Sequence, residues 1–162
     1  MTATARETLA GKAGTPELST IRVHGTWAGD MRTDLQAGRH HFIADEPPTR
    51  EGKDAGPTPL QLVLSGLCAC EAVTMKRVAE RMRLRVDAFE IAAEGVIDVR
   101  GRKGAADVPA HFLRVVVRAR LRTPDGAERV ERLREVVERC CPVATLLRAA
   151  PLEFDSIWER VP

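Results

Sequence analysis

Four cysteines in two pairs are the first candidates for chemistry in this chain. Cys68 and Cys70 lie in an apolar run, and Cys140 and Cys141 stand directly before Pro142. Both pairs fall on segments with helical patterns, where a single buried thiol is usually an inert packing group. Two thiols that the fold brings together can instead form and break a disulfide.

Three kinds of role are open to these cysteines. Structural zinc sites use CxxC-type spacing, and the side chains of Cys68 and Cys70 diverge by roughly 200° on a helix, which disfavours a zinc site. Inert packing suits any of the four. In the third role, a thiolate from one pair attacks a peroxide, becomes a sulfenic acid and condenses with a resolving thiol from the other pair. The attacking thiol then needs a nearby cation, which must be an arginine from elsewhere in the fold.

The first cysteine pair lies on the most clearly marked helix. Thr58 fits the N-cap position, Pro59 fits the first helical position, and Gln61 completes a capping box. The stretch Leu60–Met75 has apolar or small residues around most of its circumference. A helix that is apolar on nearly all sides is expected to be buried.

The other elements follow from alternation and helical periodicity. Alternating apolar and polar residues predict strands at residues 21–27, 31–35, 39–45, 86–99, 112–122 and 152–158. In the fifth strand the polar positions are arginines, typical of a solvated sheet face. Asp125 with Glu128 predicts a capped helix whose apolar stripe ends at the second cysteine pair, and Pro142 separates it from a short helix. Hairpins followed by helices indicate an α+β fold without βαβ units.

Composition narrows the class of protein. The chain has 162 residues, of which 44% are hydrophobic and 30% charged, which suits one domain over residues 18–162 behind a disordered tail at residues 1–17. A net charge of +2 favours neither nucleic-acid binding nor a polybasic membrane role. There is no apolar run of the roughly 18 residues that a membrane span needs, and no secretory signal pattern. We therefore expect a cytoplasmic protein.

The two cysteine segments, GPTPLQLVLSGLCACEAVTM and CCPVATLL, resemble those of the OsmC/Ohr family of thiol peroxidases. That family carries one cysteine on a buried helix that begins with proline, and a second cysteine followed by proline. The resemblance implies that Cys70 is the peroxidatic cysteine and Cys141 the resolving one, with Cys68 and Cys140 as packing residues. It also implies an α+β, OsmC-like fold of antiparallel sheets around a long central helix, in an intertwined homodimer with its sites at the interface.

The resemblance further implies an activity, reduction of organic hydroperoxides in oxidative-stress defence, without a cofactor or metal. A dithiol such as a protein-bound lipoyl group is the implied reductant. Arg32 is the implied catalytic arginine beside the thiolate, with Arg39 as the alternative. Peroxidases of the family carry a glutamate just after the helix-starting proline, where this chain has Leu60 and Gln61.

That replacement keeps two other hypotheses open. One is a non-catalytic OsmC-like dimer that binds a small apolar or electrophilic ligand in the interface cleft. The other is a structural or metal-binding domain with inert thiols. Peroxide consumption separates the first hypothesis from these two, and metal analysis of the purified protein tests the metal site.

Overall fold

The computed structural model describes residues 16–105 and 107–161. Within it the chain forms two compact units that meet in sequence between Pro57 and Thr58. Residues 1–15, which make up most of the predicted tail, lie outside the described residues. The prediction of one domain over residues 18–162 stays a prediction, and the two units are described in turn.

The first unit is a three-stranded antiparallel sheet of β1 (His24–Trp27), β2 (Thr33–Ala37) and β3 (His40–Ala44), in that order. Tight turns join the strands. Gly29 at φ +96° and Gly38 at φ +60° lie in the left-handed region that glycine adopts without strain. A single 3-10 turn, Pro48–Arg50, follows the sheet.

The prediction of a half-buried first strand is wrong for the single chain. The strand begins at His24, and Ile21 and Trp27 are 90% and 73% exposed. The alternation of Ile21, Val23 and Trp27 identifies side chains that share a face, but it does not say whether another layer covers that face. In this unit the described residues leave it uncovered.

The loop after β3 is held by one buried carboxylate. Asp45 accepts hydrogen bonds from the backbone N–H groups of Glu46, Lys53 and Ala55 at 2.8, 3.0 and 3.1 Å. The Ala55 N–H contributes most to a lowered pKa of Asp45, and the other two N–H groups add to it. The proline- and glycine-rich loop therefore has a defined path because its backbone donors converge on a single side chain.

The second unit begins with helix α1, Pro59–Arg81, and the predicted capping box is present. Thr58 Oγ1 accepts a hydrogen bond from Gln61 N at 3.3 Å, and Gln61 Oε1 accepts one from Thr58 N at 2.8 Å. Pro59 occupies the first turn, where its missing N–H is not needed.

Replacing Thr58 by alanine removes one half of this box. We expect Thr58→Ala to lower the free energy of unfolding by about 1 kcal/mol, the usual value of an N-cap hydroxyl. Urea denaturation at a constant protein concentration measures this, with Thr58→Ser as the matched control that keeps the hydroxyl. An alanine variant as stable as the serine variant would contradict the capping role.

Helix α1 is buried on one face only, which corrects the prediction of burial on nearly all sides. Its buried residues are Leu67, Glu71, Met75, Val78 and Ala79. On the opposite face Val63 and Val73 are 43% and 53% exposed in the single chain. The apolar circumference predicted contact on both faces, whereas a single chain supplies contacts for one.

The second sheet has the order β4 (Ala88–Ile97), β5 (Phe112–Arg122) and β6 (Glu153–Val161). Strands β4 and β5 are antiparallel, whereas β5 and β6 are parallel. The expectation of antiparallel sheets without βαβ units is therefore wrong for this pair. The helices between β5 and β6 return the chain to the same end of the sheet, as a parallel pair requires.

The predicted solvated face of β5 is confirmed. Arg114 and Arg120 are exposed and pair across the strand boundary with Asp155 at 2.5 Å and Glu159 at 3.2 Å. The opposite side of the strand supplies the buried Val115, Val117, Ala119 and Leu121. Exposed ion pairs stabilise little, so the apolar side accounts for most of the strand's contribution to stability.

Three helices complete the unit: the short α2 (Val99–Arg102), then α3 (Ala127–Cys140) and α4 (Pro142–Arg148). The predicted capping box at Asp125 is wrong, because the N-cap of α3 is Gly126 and it has no side-chain cap. The Asp125 carboxylate instead accepts a hydrogen bond from Arg85 N at 2.8 Å and forms an ion pair with Arg129. It thereby ties the start of α3 to the segment before β4.

Candidate active site

The thiols of Cys70 and Cys141 are brought together in the second unit. Cys70 lies on α1 and Cys141 immediately precedes α4, and the two thiols are close enough to interact. Both belong to one apolar cluster, in which Cys141 is fully buried and Cys70 partly buried. All four cysteines are free thiols. The arrangement gives one member of each cysteine pair a thiol partner.

The position of Cys141 follows from the break between two helices. Helix α3 ends at Cys140, and Pro142 occupies the first turn of α4, so Cys141 adopts an extended backbone as the N-cap of α4. Its N–H still donates to Val137 O at 2.8 Å, and its sulfur accepts a hydrogen bond from Ala144 N at 3.5 Å. The sequence Cys-Pro therefore directs this sulfur into the core.

The environment of Cys141 keeps it protonated. Burial and the contact with Cys70 raise the pKa of the Cys141 thiol to about 11, although the Ala144 N–H acts in the opposite direction. At neutral pH the Cys141 thiol is therefore protonated where it meets Cys70.

The second members of the two pairs lie elsewhere. Cys140 is exposed at the end of α3, and Cys68 is partly buried on α1. Burial raises the pKa of the Cys68 thiol, and the nearby carboxylate of Glu71 raises it further. The sequence prediction that the members of each pair diverge is consistent with these different environments.

A buried carboxyl group beside the thiols is the feature that the sequence analysis missed. Glu71, the residue after Cys70, is fully buried, and neither of its carboxyl oxygens has a hydrogen-bond partner in the part of the chain that the structure describes. Burial, with a contribution from Glu138, raises its pKa to about 7, whereas Arg148 acts to lower it. The signal is a lone acidic residue in Leu60–Met75, a stretch that is apolar or small around most of its circumference.

Glu138 and two arginines surround the α3–α4 junction. Glu138 is also nearly buried, and its carboxylate pairs with Arg134 at 2.5 Å and with Arg148. The Arg148 guanidinium lies over the ring of Phe154, 4.9 Å from its centroid. Because Arg134 lies on α3 and Arg148 on α4, Glu138 joins the two helices that flank Cys141. This ion-pair network was not predicted.

The predicted arginine belongs to the first unit. Arg32 donates its Nε–H to Asp34 Oδ1 at 2.8 Å and borders an open hollow of about 530 Å³ in that unit. Arg39, the alternative, is exposed in the turn before β3. Gln61, one of the two residues that follow the helix-starting proline, uses its side-chain oxygen in the capping box of α1.

The described residues contain no group of three or more His, Cys, Asp or Glu side chains arranged to hold a metal ion. None of the helices in residues 16–105 and 107–161 is long and apolar enough to cross a membrane.

A family model described as OsmC-like protein matches residues 52–155, which include all four cysteines, helix α1 and the α3–α4 junction. The chain belongs to this OsmC-like family. Its membership confirms the resemblance drawn from the two cysteine segments. Among curated proteins, no match was found.

Solved structures show the same fold. An OsmC-like protein from Mycoplasma pneumoniae is 16% identical with a TM-score of 0.77, and the alignment covers 89% of this chain and 99% of that one. An organic hydroperoxide resistance protein OsmC from Legionella pneumophila is 17% identical, with 91% and 100% covered and a TM-score of 0.65. An organic hydroperoxide resistance protein from Elizabethkingia anophelis is 19% identical, with 91% and 100% covered and a TM-score of 0.69. The predicted α+β, OsmC-like fold is confirmed.

Proposed function

We propose that this OsmC-like protein takes part in peroxide defence by reducing organic hydroperoxides with Cys70 and Cys141. The contact between these two thiols is the observation that carries the proposal. The solved structures from Legionella pneumophila and Elizabethkingia anophelis, named as organic hydroperoxide resistance proteins, support the choice of substrate class.

The reaction has three steps in which each thiol has a defined part. The Cys70 thiolate attacks an oxygen of the peroxide, the O–O bond breaks, the sulfur becomes a sulfenic acid, and the released alkoxide takes up a proton to leave as an alcohol. The Cys141 sulfur then attacks the Cys70 sulfur, and its proton leaves with the sulfenic hydroxyl as water. A dithiol finally reduces the disulfide and becomes a disulfide itself.

The pairing with Cys141 suits both halves of this cycle. In this cycle the protonated Cys141 is the donor to the Cys70 thiolate, and a donated hydrogen bond stabilises negative charge on the attacking atom. After oxidation, Cys141 is already next to the sulfenic acid, so the disulfide forms without a long search. Burial protects the second thiol from direct attack by peroxide.

Three further assignments complete the proposal. Arg32 is the cation that stabilises the attacking thiolate, a lipoyl-type dithiol is the reductant, and the functional form is a cytoplasmic homodimer. The exposed apolar face of α1, with Val63 and Val73, is consistent with a partner subunit.

Treating the reduced protein with one equivalent of cumene hydroperoxide is expected to consume two thiols together and to produce a Cys70–Cys141 disulfide. Peptide mapping without reduction identifies the linkage, and a Cys141→Ser variant provides the control that can form the sulfenic acid but not the disulfide. If both cysteines remain free thiols after peroxide is added, the proposed reaction is wrong.

A second candidate function is a non-catalytic dimer that binds a small apolar or electrophilic ligand. One observation favours it: Gln61, in place of a carboxylate, is engaged in the helix cap and carries no charge with which to orient an arginine. This function predicts ligand binding that survives Cys70→Ser together with no peroxide turnover in the wild type. Isothermal titration with apolar ligands on both proteins distinguishes the two functions.

A further inference from the structure

Glu71 is buried without a hydrogen bond to hold it. Its side chain is fully buried on α1, and neither carboxyl oxygen has a hydrogen-bond partner among the described residues. An unsatisfied buried polar group destabilises the folded state, by more if the group is charged, so native proteins rarely retain one without a function. The peroxidase cycle proposed above does not use this carboxyl group.

Helical geometry relates Glu71 unequally to the two cysteines that precede it. With about 100° of rotation per residue, Cys68 lies roughly 60° from Glu71 around the axis and one turn away, so the two side chains share a face. Cys70 lies about 100° from Glu71 and in the opposite sense around the helix. It makes its contact with Cys141 instead.

We propose that Glu71 is a specificity-determining residue whose carboxylate suppresses thiolate formation at Cys68 and so confines oxidation to Cys70 and Cys141. The biological meaning of this inference rests on the proposed function. The suppression of thiolate formation at Cys68 does not depend on peroxidase activity. A Cys68 sulfenic acid would lack the resolving partner that Cys70 has, since Cys141 is engaged with Cys70. Such a sulfenic acid is exposed to irreversible oxidation.

The electrostatics of the site agree with this role. The Glu71 carboxylate adds to burial in raising the pKa of the Cys68 thiol. The charged groups that act on Glu71 from the helices packed against α1 are Glu138 on α3 and Arg148 on α4. Arg148 is already paired with Glu138, so it offsets the charge of Glu71 only in part.

The test is the pH dependence of Cys68 alkylation by iodoacetamide in a full-length Cys70→Ser background, followed by peptide mass spectrometry. The logarithm of the rate normally rises by one unit per pH unit below the thiol pKa, because only the thiolate reacts. Because the pKa of Glu71 is raised to about 7, its carboxyl group ionises in this range and lowers the thiolate fraction of Cys68. The rise in the logarithm of the Cys68 alkylation rate therefore flattens between about pH 6 and 8. Adding Glu71→Gln is expected to restore the unit slope and to accelerate alkylation at pH 8 roughly threefold to tenfold.

Two further variants separate this role from a structural one. Glu71→Asp keeps the carboxylate and is expected to keep the flattened profile, whereas Glu80→Gln, an exposed charge change on the same helix, is expected to leave it unaltered. A profile unchanged by Glu71→Gln would overturn the proposal. The proposal would also be overturned if, in the Cys70→Ser protein that retains Glu71, the logarithm of the Cys68 alkylation rate rose with pH at an unbroken unit slope. This outcome is measured without any Glu71 variant, so it does not depend on such a variant folding. Because no peroxide is used, a protein without peroxidase activity can still pass this test.

Discussion

Replacing Cys70 by serine is expected to reduce the consumption of an organic hydroperoxide to the uncatalysed background, a loss of at least about a thousandfold. A serine hydroxyl is not ionised at neutral pH, and its oxygen cannot be oxidised to the counterpart of a sulfenic acid. Consumption of cumene hydroperoxide with a lipoyl dithiol as reductant measures the effect. Equal turnover by wild type and Cys70→Ser would show that another group performs the reaction.

The other cysteines supply matched controls for this experiment. Cys140→Ser changes the exposed neighbour of Cys141 and is expected to leave turnover within about twofold, as is usual for a surface substitution away from the site. Cys141→Ser is expected to permit the first oxidation and to stop dithiol-dependent cycling, because the disulfide cannot form. Full cycling in Cys141→Ser would mean that the reductant acts directly on the sulfenic acid.

Replacing Glu71 by glutamine is expected to stabilise the protein at pH 8 and to have little effect near pH 4.5. The pKa of Glu71 is raised from 4.5 to about 7 in the folded protein, so the folded state favours the protonated carboxyl group. This group therefore favours folding fully below pH 4.5, and the contribution is lost as the pH rises through about 7. Each pKa unit corresponds to 1.36 kcal/mol, so the loss above pH 7 is about 3 kcal/mol.

Glutamine cannot ionise, so the variant avoids that loss while keeping the size and polarity of the side chain. Urea denaturation of both proteins at pH 4.5 and 8, with thiols reduced and at equal protein concentration, gives the difference at each pH. Glu80→Gln, exposed on the same helix, controls for the change in net charge. A difference between Glu71→Gln and wild type that does not vary with pH would contradict the burial of an ionisable Glu71.

Local patterns predicted most of the elements in the second unit. The first residue of α1 was predicted from Thr58, Pro59 and Gln61, because a helix cap is an interaction among neighbours in sequence. Pro142 likewise predicted the break that leaves Cys141 extended. The prediction failed at Asp125, since a residue 40 positions away, Arg85, binds that carboxylate and no local pattern records such a contact.

The candidate site was predictable in its two thiols and not in its charged residues. Cys70 and Cys141 were singled out through the resemblance of their segments to a family, because their separation in sequence alone does not pair them. Glu71 was visible as one acidic residue in an apolar run, but its isolation depends on which helices pack against α1. In the sequence, Glu138 is one of several charged residues on an amphipathic helix. Its ion pair with Arg148 is visible only in the folded structure.

The sequence by itself thus determined the elements of the second unit other than the short α2 to within a few residues, as well as the Cys-Pro break and the family to which the chain belongs. Tertiary structure alone decided that the Cys70 and Cys141 thiols meet, that β5 and β6 run parallel, and that one face of α1 stays exposed in a single chain. The physical reason is that caps, turns and periodicity depend on interactions between near neighbours. The burial of Glu71 depends instead on helices that meet only when the core is packed.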